Sequence, residues 1–362
     1  MRKLESLVRG LKCPSHKQRL VVECQGELGR GVPWPVGVLQ CPSGCTFPIR
    51  GGIPRFTDRD HYAEPFGLQW RRYQKTQLDS YTGLPISRER LERCLGMPLE
   101  ALAGKRILEC GSGAGRFTEL LLGRGDLLVS LDLSDAVDAN LKNCGGRDPY
   151  LLIQADINSS PLPKRSFDVC ICLGVLQHTP SPEQAIRSLV EHLAPGGLLV
   201  IDHYTRYSGP LALSNYLTLG YPLRHVFKRL GPEAGLRATT ALTAFCDPIR
   251  RRTCRVHWLD RIASRFFPMI CYYNEYPGVD PKIVYDLNEL DTHDALTDFY
   301  KHRRTRAQID AYLKSLGLIQ VECSKGGIGV EARAIVPPDE RCPSSATVNG
   351  MVLSGGDLQR TS

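Results

Sequence analysis

The chain of 362 residues lacks any apolar run near the ~18 residues that a membrane-spanning helix requires. No apolar stretch follows Met1-Arg2-Lys3-Leu4-Glu5, so nothing there reads as a signal peptide. These two absences make a soluble, cytoplasmic protein without a membrane span the expectation. No internal repeat is visible, which sets aside repeat architectures. A strong charge imbalance is also missing: the net charge of +8 is modest for this length. Much of it sits in Arg250-Arg251-Arg252 with Arg255, and in Lys301-His302-Arg303-Arg304 with Arg306. Those runs read first as a solvated basic face, with an acidic substrate, a lipid surface or RNA as the alternatives. Cysteine is plentiful, at fourteen, but Cys110, Cys170, Cys172 and Cys271 stand singly in apolar runs, as buried free thiols do.

At 42% hydrophobic residues the chain can bury a substantial core. Its length exceeds one ordinary domain, so one main core with accessory parts is expected. Residues 1–57 are rich in Cys, Pro and Gly and carry short strand-like pieces. Residues 58–100 read as a linker with helical turns. Residues 101–204 hold the core, in which apolar strands alternate with amphipathic helices from Lys105 onward. Residues 205–300 form a long mixed insertion after the fifth strand, longer than a plain connection needs. Residues 301–336 return to a helix, Thr305 to Leu316, stopped at Gly317, and two further strands. Residues 337–362 are polar and read as a disordered tail.

The core opens with Arg106-Ile107-Leu108-Glu109-Cys110-Gly111-Ser112-Gly113-Ala114-Gly115-Arg116-Phe117. An apolar strand enters a glycine-rich turn and then a helix carrying Phe117, Leu120 and Leu121 on one face. Glycine serves where backbone turns tightly and a ligand comes close, and the free amides of a following helix suit a carboxylate. The dinucleotide fingerprint counted from Gly111 needs a final glycine where this chain has Arg116, so the spacing G-x-G-x-G speaks against a nicotinamide site. Glu109 is placed to reach a ligand amino group. The second strand, Leu127–Asp132, ends in a carboxylate about 20 residues on, suited to ribose hydroxyls, and Leu133 follows it. Asp156 ends the third strand, placed for an adenine amino group, and Ile157 can cover the ring. The fourth strand, Phe167–Leu173, is followed by Gly174-Val175-Leu176-Gln177-His178. The fifth, Leu198–Asp202, follows a helix end at Leu193-Ala194-Pro195-Gly196-Gly197.

Taken in order, these motifs make residues 105–204 resemble the class I S-adenosylmethionine-dependent methyltransferases. The resemblance implies an α/β, Rossmann-like sheet of seven strands, closed by an antiparallel hairpin at Leu318–Cys323 and Gly329–Val336. It implies S-adenosyl-L-methionine as cofactor, held by Glu109, Cys110, Gly111, Ser112, Gly113, Gly115, Asp132, Leu133, Asp156, Ile157 and Leu173. The acceptor is then expected over the C-terminal strand ends, between the segment before the core and the 205–300 insertion. Phe66–Tyr73 and Gln77–Ser80, with Leu290–Tyr300, are similar to segments of bacterial methyltransferases of biosynthetic clusters. Their plainer reading is a helix docking Phe66, Trp70 and Tyr73 into the core; His293 and Asp294 are candidates to face the pocket.

At the N-terminus, Cys13-Pro14-Ser15-His16 and Cys41-Pro42-Ser43-Gly44-Cys45 are two short turns with metal-ligand side chains. Brought together, Cys13, His16, Cys41 and Cys45 make a Cys₃His set suited to structural zinc, with Cys24 as a substitute ligand. With Phe47–Pro54 they resemble the small zinc-ribbon protein that activates tRNA and protein methyltransferases. They depart from it in His16, where cysteine is commoner, and in a second turn with three intervening residues.

Methyl transfer from a sulfonium needs alignment more than acid–base help, unless the acceptor must lose a proton. His178 after the fourth strand, and His203 with Tyr204 after the fifth, stand where a base would act. The favoured acceptor is a small molecule: a sugar, quinone, lipid-linked or secondary-metabolite hydroxyl. Tyr204, Tyr207, Phe266, Phe267, Tyr272 and Tyr273 are expected near the transferred carbon. The alternatives are an RNA base methyltransferase using the ribbon, with the basic runs lining an open groove, and a non-catalytic scaffold that binds cofactor or partner. Against RNA amino-group methylation, no Asn-Pro-Pro-Tyr-like element follows the fourth strand.

Overall fold

A computed structural model describes residues 2–24, 37–57, 63–146, 150–206 and 218–339. Near-continuous apolar runs produce the five central strands: β5 (Arg106–Cys110), β6 (Leu127–Asp132), β7 (Tyr150–Gln154), β8 (Phe167–Cys172) and β9 (Leu193–Tyr204). They are parallel to one another, and such strands are buried on both faces. Two antiparallel strands, β10 (Ile319–Lys325) and β11 (Gly329–Ile335), complete the sheet in the order β7-β6-β5-β8-β9-β11-β10. The expected seven strands and closing hairpin are therefore present.

Side-chain alternation splits the sheet into two apolar layers. Ile107, Leu128, Val169 and Val200 face one cluster with Leu91, Leu95 and Leu121. Leu108, Val129, Cys170 and Ile201 face the other, with Ile186, Leu189 and Leu313. The free thiols of Cys110, Cys170 and Cys172 are buried here, and Cys271 is half-buried in the insertion.

Helices follow in chain order: α1 (Arg2–Arg9), α2 (Glu64–Arg72), α3 (Asp79–Thr82), α4 (Ile86–Leu95), α5 (Thr118–Leu121), α6 (Ala136–Cys144) and α7 (Pro182–His192). The insertion carries α8 (Gly220–Phe227), α9 (Pro232–Thr253), α10 (His257–Phe266) and α11 (Pro281–Thr297), and α12 (Arg306–Ser315) precedes the hairpin. Thr305 and Gln308 form a reciprocal capping box on α12, and Gly317 at φ 78° ends it, as the sequence suggests.

Three expectations change. The helical turns expected in 58–100 are present as α2, α3 and α4, but they pack on the core rather than link: Leu91, Leu95, Leu99 and Leu102 are core residues. The helix after the glycine turn is a single turn, α5. The helix α7 ends at His192 with Leu193 as its C-cap, as expected, but the strand already starts there: Pro195 cannot continue a helix, Leu193 pairs with Phe167, and Gly196 donates to the Val336 carbonyl (2.9 Å). The expected tail lies outside the described residues beyond 339.

The N-terminal segment forms a separate four-stranded antiparallel sheet, β1 (Val21–Cys24), β2 (Gly37–Gln40), β3 (Thr46–Arg50) and β4 (Ile53–Pro54). It shares one apolar cluster with the large sheet: Leu11, Leu39 and Ile49 join Ile153, Ile157 and Leu162. The Phe56 amide donates to the Gln154 carbonyl (2.8 Å), so this segment covers the β7 edge. No helix among the described residues is long and apolar enough to cross a membrane.

At the other side, α4 is pinned to the sheet by a buried ion pair between Arg90 and Asp202. Asp202→Asn keeps the shape but leaves Arg90 uncompensated. Because Arg90 borders a cavity and can be partly hydrated, the expected loss is about 3 kcal/mol, the low end for a broken buried pair, measured by denaturant unfolding.

Candidate active site

The glycine turn after β5 forms the floor of a cavity of about 510 Å³. Gly111 has φ 76°, and a Cβ there would fall 2.1 Å from Val175 Cγ2, so both backbone and space demand glycine. The Gly113 amide donates to Asp132 Oδ2 (2.8 Å), while Asp132 Oδ1 accepts from the Ser134 amide and hydroxyl (2.8 and 2.7 Å). Asp132 thereby clamps the glycine turn to the loop after β6 while its carboxylate borders the cavity. Gly111, Ser112, Gly113, Leu133, Ile157 and Leu173 also line it. On the same wall, Ser112 Oγ and Gln177 Oε1 are buried without a protein partner. A buried polar atom without a partner is costly, and a hydroxyl- and amine-bearing ligand supplies what they lack. The cradle and these orphans fit S-adenosylmethionine.

Four expected cofactor residues do not line the cavity. Glu109 shares the strand face of Ile107, and that alternation turns it beneath the floor. Its Oε2 accepts from Thr118 Oγ1 and Ser130 Oγ, both at 2.6 Å, and burial pushes its pKa up to about 7. Cys110 is buried in the opposite layer. Gly115 has φ 102° and packs under Cys144 Sγ, 2.7 Å from where a Cβ would stand. Asp156 caps the next turn, accepting from the Asn158 amide at 2.8 Å.

Beyond the turn, the cavity reaches His178, Tyr204, Asp294 and Lys301. His178 Nδ1 lies 3.2 Å from the Tyr300 carbonyl, which can only accept, so that nitrogen carries the proton and Nε2 keeps the lone pair. Asp294 Oδ2 is 3.9 Å from Nε2 and accepts from the Tyr204 hydroxyl (3.2 Å). Asp298 Oδ2 stands 3.3 Å from His178 Nδ1 and 3.4 Å from Lys301 Nζ, and Arg224 also pairs with Asp298. Burial lowers the His178 pKa, holds Lys301 down at about 8 and raises Tyr204 well above the usual phenol range. His178 is thus a neutral imidazole at neutral pH beside protonated Tyr204.

His203 is not on the wall; it is buried, with Nδ1 3.2 Å from the Tyr204 carbonyl. His293 also turns away, toward Thr239 Oγ1 (3.2 Å), whereas Asp294 faces the cavity. The sequence reading passed over Asp298 and the role of Lys301. The spacing 291, 294 (i, i+3) puts two carboxylates on one face of α11, with Asp298 at its C-cap one turn on, a readable signal.

Trp70, Gln77, Arg90 and Arg116 wall the near side, and Ile270, Tyr272 and Asp291 the insertion side. Of the expected aromatic set, Tyr204 and Tyr272 line the cavity. Phe266 is exposed, Phe267 is not in the wall, and Tyr273 donates to Asp247 instead. Tyr207 and the side chain of Phe66 lie outside the described residues. Tyr73 is buried as expected. The basic runs do not share one groove: Arg250 is buried against Asp260 (2.9 Å), and Arg304 pairs with Glu183 (2.7 Å).

In the N-terminal segment, His16 Nδ1 lies 3.7, 3.5 and 3.5 Å from the Sγ atoms of Cys13, Cys41 and Cys45. The nitrogen–sulfur edge of a tetrahedral zinc site is about 3.6 Å, from bond lengths near 2.1 and 2.3 Å. Cys13, His16 and Cys41 form a compact ligand group. The side chain of Cys24 lies outside the described residues.

The family described as a methyltransferase domain matches residues 108–201. A ubiquinone biosynthesis O-methyltransferase of Pseudomonas fluorescens strain Pf-5 is 32% identical over 187 residues, 49% of this chain and 76% of that protein. The chain belongs to the S-adenosylmethionine-dependent methyltransferases. A second ubiquinone biosynthesis O-methyltransferase, from Pseudomonas putida strain F1, is 32% identical over 110 residues, 29% of this methyltransferase and 47% of the relative. The match thus spans about half the length of that relative. Among solved structures, the DhpI–SAH complex aligns at TM-score 0.43 and 16% identity, covering 78% of this chain and all of that one. A complex of the Haloferax volcanii Trm112 methyltransferase activator with a methyltransferase aligns at TM-score 0.44 and 11% identity, over 78% and 100%.

Proposed function

We propose that this enzyme methylates a hydroxyl of a small-molecule acceptor held in the cavity between the glycine turn and His178. The observation that carries the reading is one cavity walled by the glycine turn at one end and, at the other, by His178 with its Nδ1 against the Tyr300 carbonyl. The printed names of the relatives, O-methyltransferases of ubiquinone biosynthesis, favour oxygen as the acceptor atom. An RNA substrate is disfavoured because Arg250 and Arg304 are spent on Asp260 and Glu183.

When bound, S-adenosylmethionine supplies a methyl carbon already activated by its sulfonium. Gly111, Ser112, Gly113, Asp132, Leu133, Ile157 and Leu173 would hold it. Asp132 would accept from its ribose hydroxyls, Ile157 and Leu173 would cover its apolar surface, and Ser112 Oγ and Gln177 Oε1 would take remaining polar groups. Trp70 and Tyr272 exclude water, and the acceptor hydroxyl meets His178 Nε2. His178 takes the hydroxyl proton, with Asp294 positioned to stabilise the imidazolium; the Tyr300 carbonyl fixes the tautomer.

Asp132→Ala is expected to weaken cofactor binding by about 1–3 kcal/mol, because buried hydroxyls lose a charged acceptor; calorimetry with the cofactor or its demethylated product reads this. His178→Gln is expected to lower kcat roughly 10²–10⁴-fold and leave cofactor affinity intact, followed as demethylated cofactor released with hydroxylated acceptors. Since burial lowers the His178 pKa, activity should rise with pH and level off below the ordinary histidine range. That limb should vanish in the variant; its survival would rule His178 out as the base.

Cys13, His16, Cys41 and Cys45 are assigned as ligands of a structural zinc. Four protein ligands leave no open coordination position for chemistry. Elemental analysis should find about one zinc per chain, and Cys41→Ser with Cys45→Ser should remove it and lower stability. Metal-free protein with an intact N-terminal sheet would refute the site.

A further inference from the structure

The helix α10 presents an apolar stripe to solvent. Trp258, Ile262 and Phe266 recur every four residues and are 62%, 51% and 59% exposed. That spacing stacks them on one helix face over about 12 Å of axis. Neighbouring elements widen the patch. The amide of Leu219, itself exposed, donates to the Arg265 carbonyl (2.8 Å), and the ring of exposed Phe245 lies 6.4 Å from that of Phe267. Exposed apolar residues are ordinary when scattered; a contiguous patch marks an interaction site.

The charge around the stripe is of one sign. Arg251, Arg252, Arg255, Arg261 and Arg265 are all exposed. Among the described residues, none has a carboxylate within ion-pair distance. The one acid in residues 251–266 is Asp260, and it is engaged by buried Arg250. A helix with Trp, Ile and Phe on one face and arginines beside it is suited to lie in the plane of an anionic bilayer interface. A second copy of the chain fits poorly, since two-fold pairing of the stripe would set arginines against arginines.

We propose that α10 seats this methyltransferase on an anionic lipid surface, its stripe among the acyl chains and its arginines on lipid phosphates. Ile270, four residues beyond Phe266, lines the cavity. The chain leaving the seated helix therefore runs directly into the wall of the active site. The proposal does not depend on which acceptor is methylated.

The 362-residue chain is sedimented with vesicles of phosphatidylcholine alone and of phosphatidylcholine mixed with phosphatidylglycerol. It should pellet with the mixed vesicles only, less so as salt is raised, with a blue shift of tryptophan fluorescence that Trp258→Phe removes. Ile262→Glu should weaken vesicle binding about tenfold or more, with an unchanged thermal transition because Ile262 is exposed. Arg261→Gln with Arg265→Gln should weaken it as well. Absence of binding to mixed vesicles, or equal binding by Ile262→Glu, overturns the proposal. A dimer in solution that Ile262→Glu dissociates would give the face to a second copy. Retention on polyglutamate without vesicle binding would give it to an acidic protein.

Discussion

The buried carboxylate of Asp202 holds the active-site cavity together. It sits near the C-terminal end of β9, fully shielded from solvent. One oxygen accepts from the Gly174 amide (2.6 Å), fixing the loop that leads from β8 to His178, and the other pairs with Arg90. A charge cannot be left alone at that depth, so Arg90 is required, and with it α4 and the segment bearing Trp70 and Gln77. One helical turn on, Arg93 makes a two-pronged contact with Glu331 of β11 (2.9 and 2.7 Å). Floor, loop and near wall, far apart in sequence, thus converge on one end of the sheet.

At the far wall the same low dielectric acts on His178, Asp294, Asp298, Lys301 and Arg224. Each buried charge there has an opposite charge near it, and the segment 300–304 runs beside the end of β9, where Arg304 donates to the Tyr204 carbonyl (2.9 Å). Burial holds the proton off His178 and loosens it on Lys301. The set favours a neutral base among fixed charges, a different arrangement from a solvated histidine on a loop.

The strands, the closing hairpin and the α12 cap were legible because each is written locally, in apolar runs, in Thr305 with Gln308, and in Gly317. The glycine turn and Asp132 were legible for the same reason, since spacing alone separates them from a dinucleotide site. The place of Glu109 beneath the floor was not legible, because its neighbourhood in sequence does not reveal which strand face points at Thr118 and Ser130. The helices of residues 63–102 were understated because their apolar residues find partners on a sheet formed later in the chain. The insertion concealed most: its aromatic residues look alike in sequence, yet Tyr272 enters the cavity while Phe266 faces solvent. Only long-range packing sorts them.

The joining of the N-terminal sheet to the large one has a thermodynamic corollary. Arg55 reaches across the junction to Gln154 Oε1 (2.7 Å) and Asp138 (2.6 Å), and Gln154 Nε2 donates to the Leu133 carbonyl (3.1 Å) beside Asp132. With a continuous apolar cluster beneath, the two sheets share one core, and they should melt as one cooperative unit. A docking module on a separate chain would be governed by dilution; here the association is unimolecular, and its strength does not vary with protein concentration.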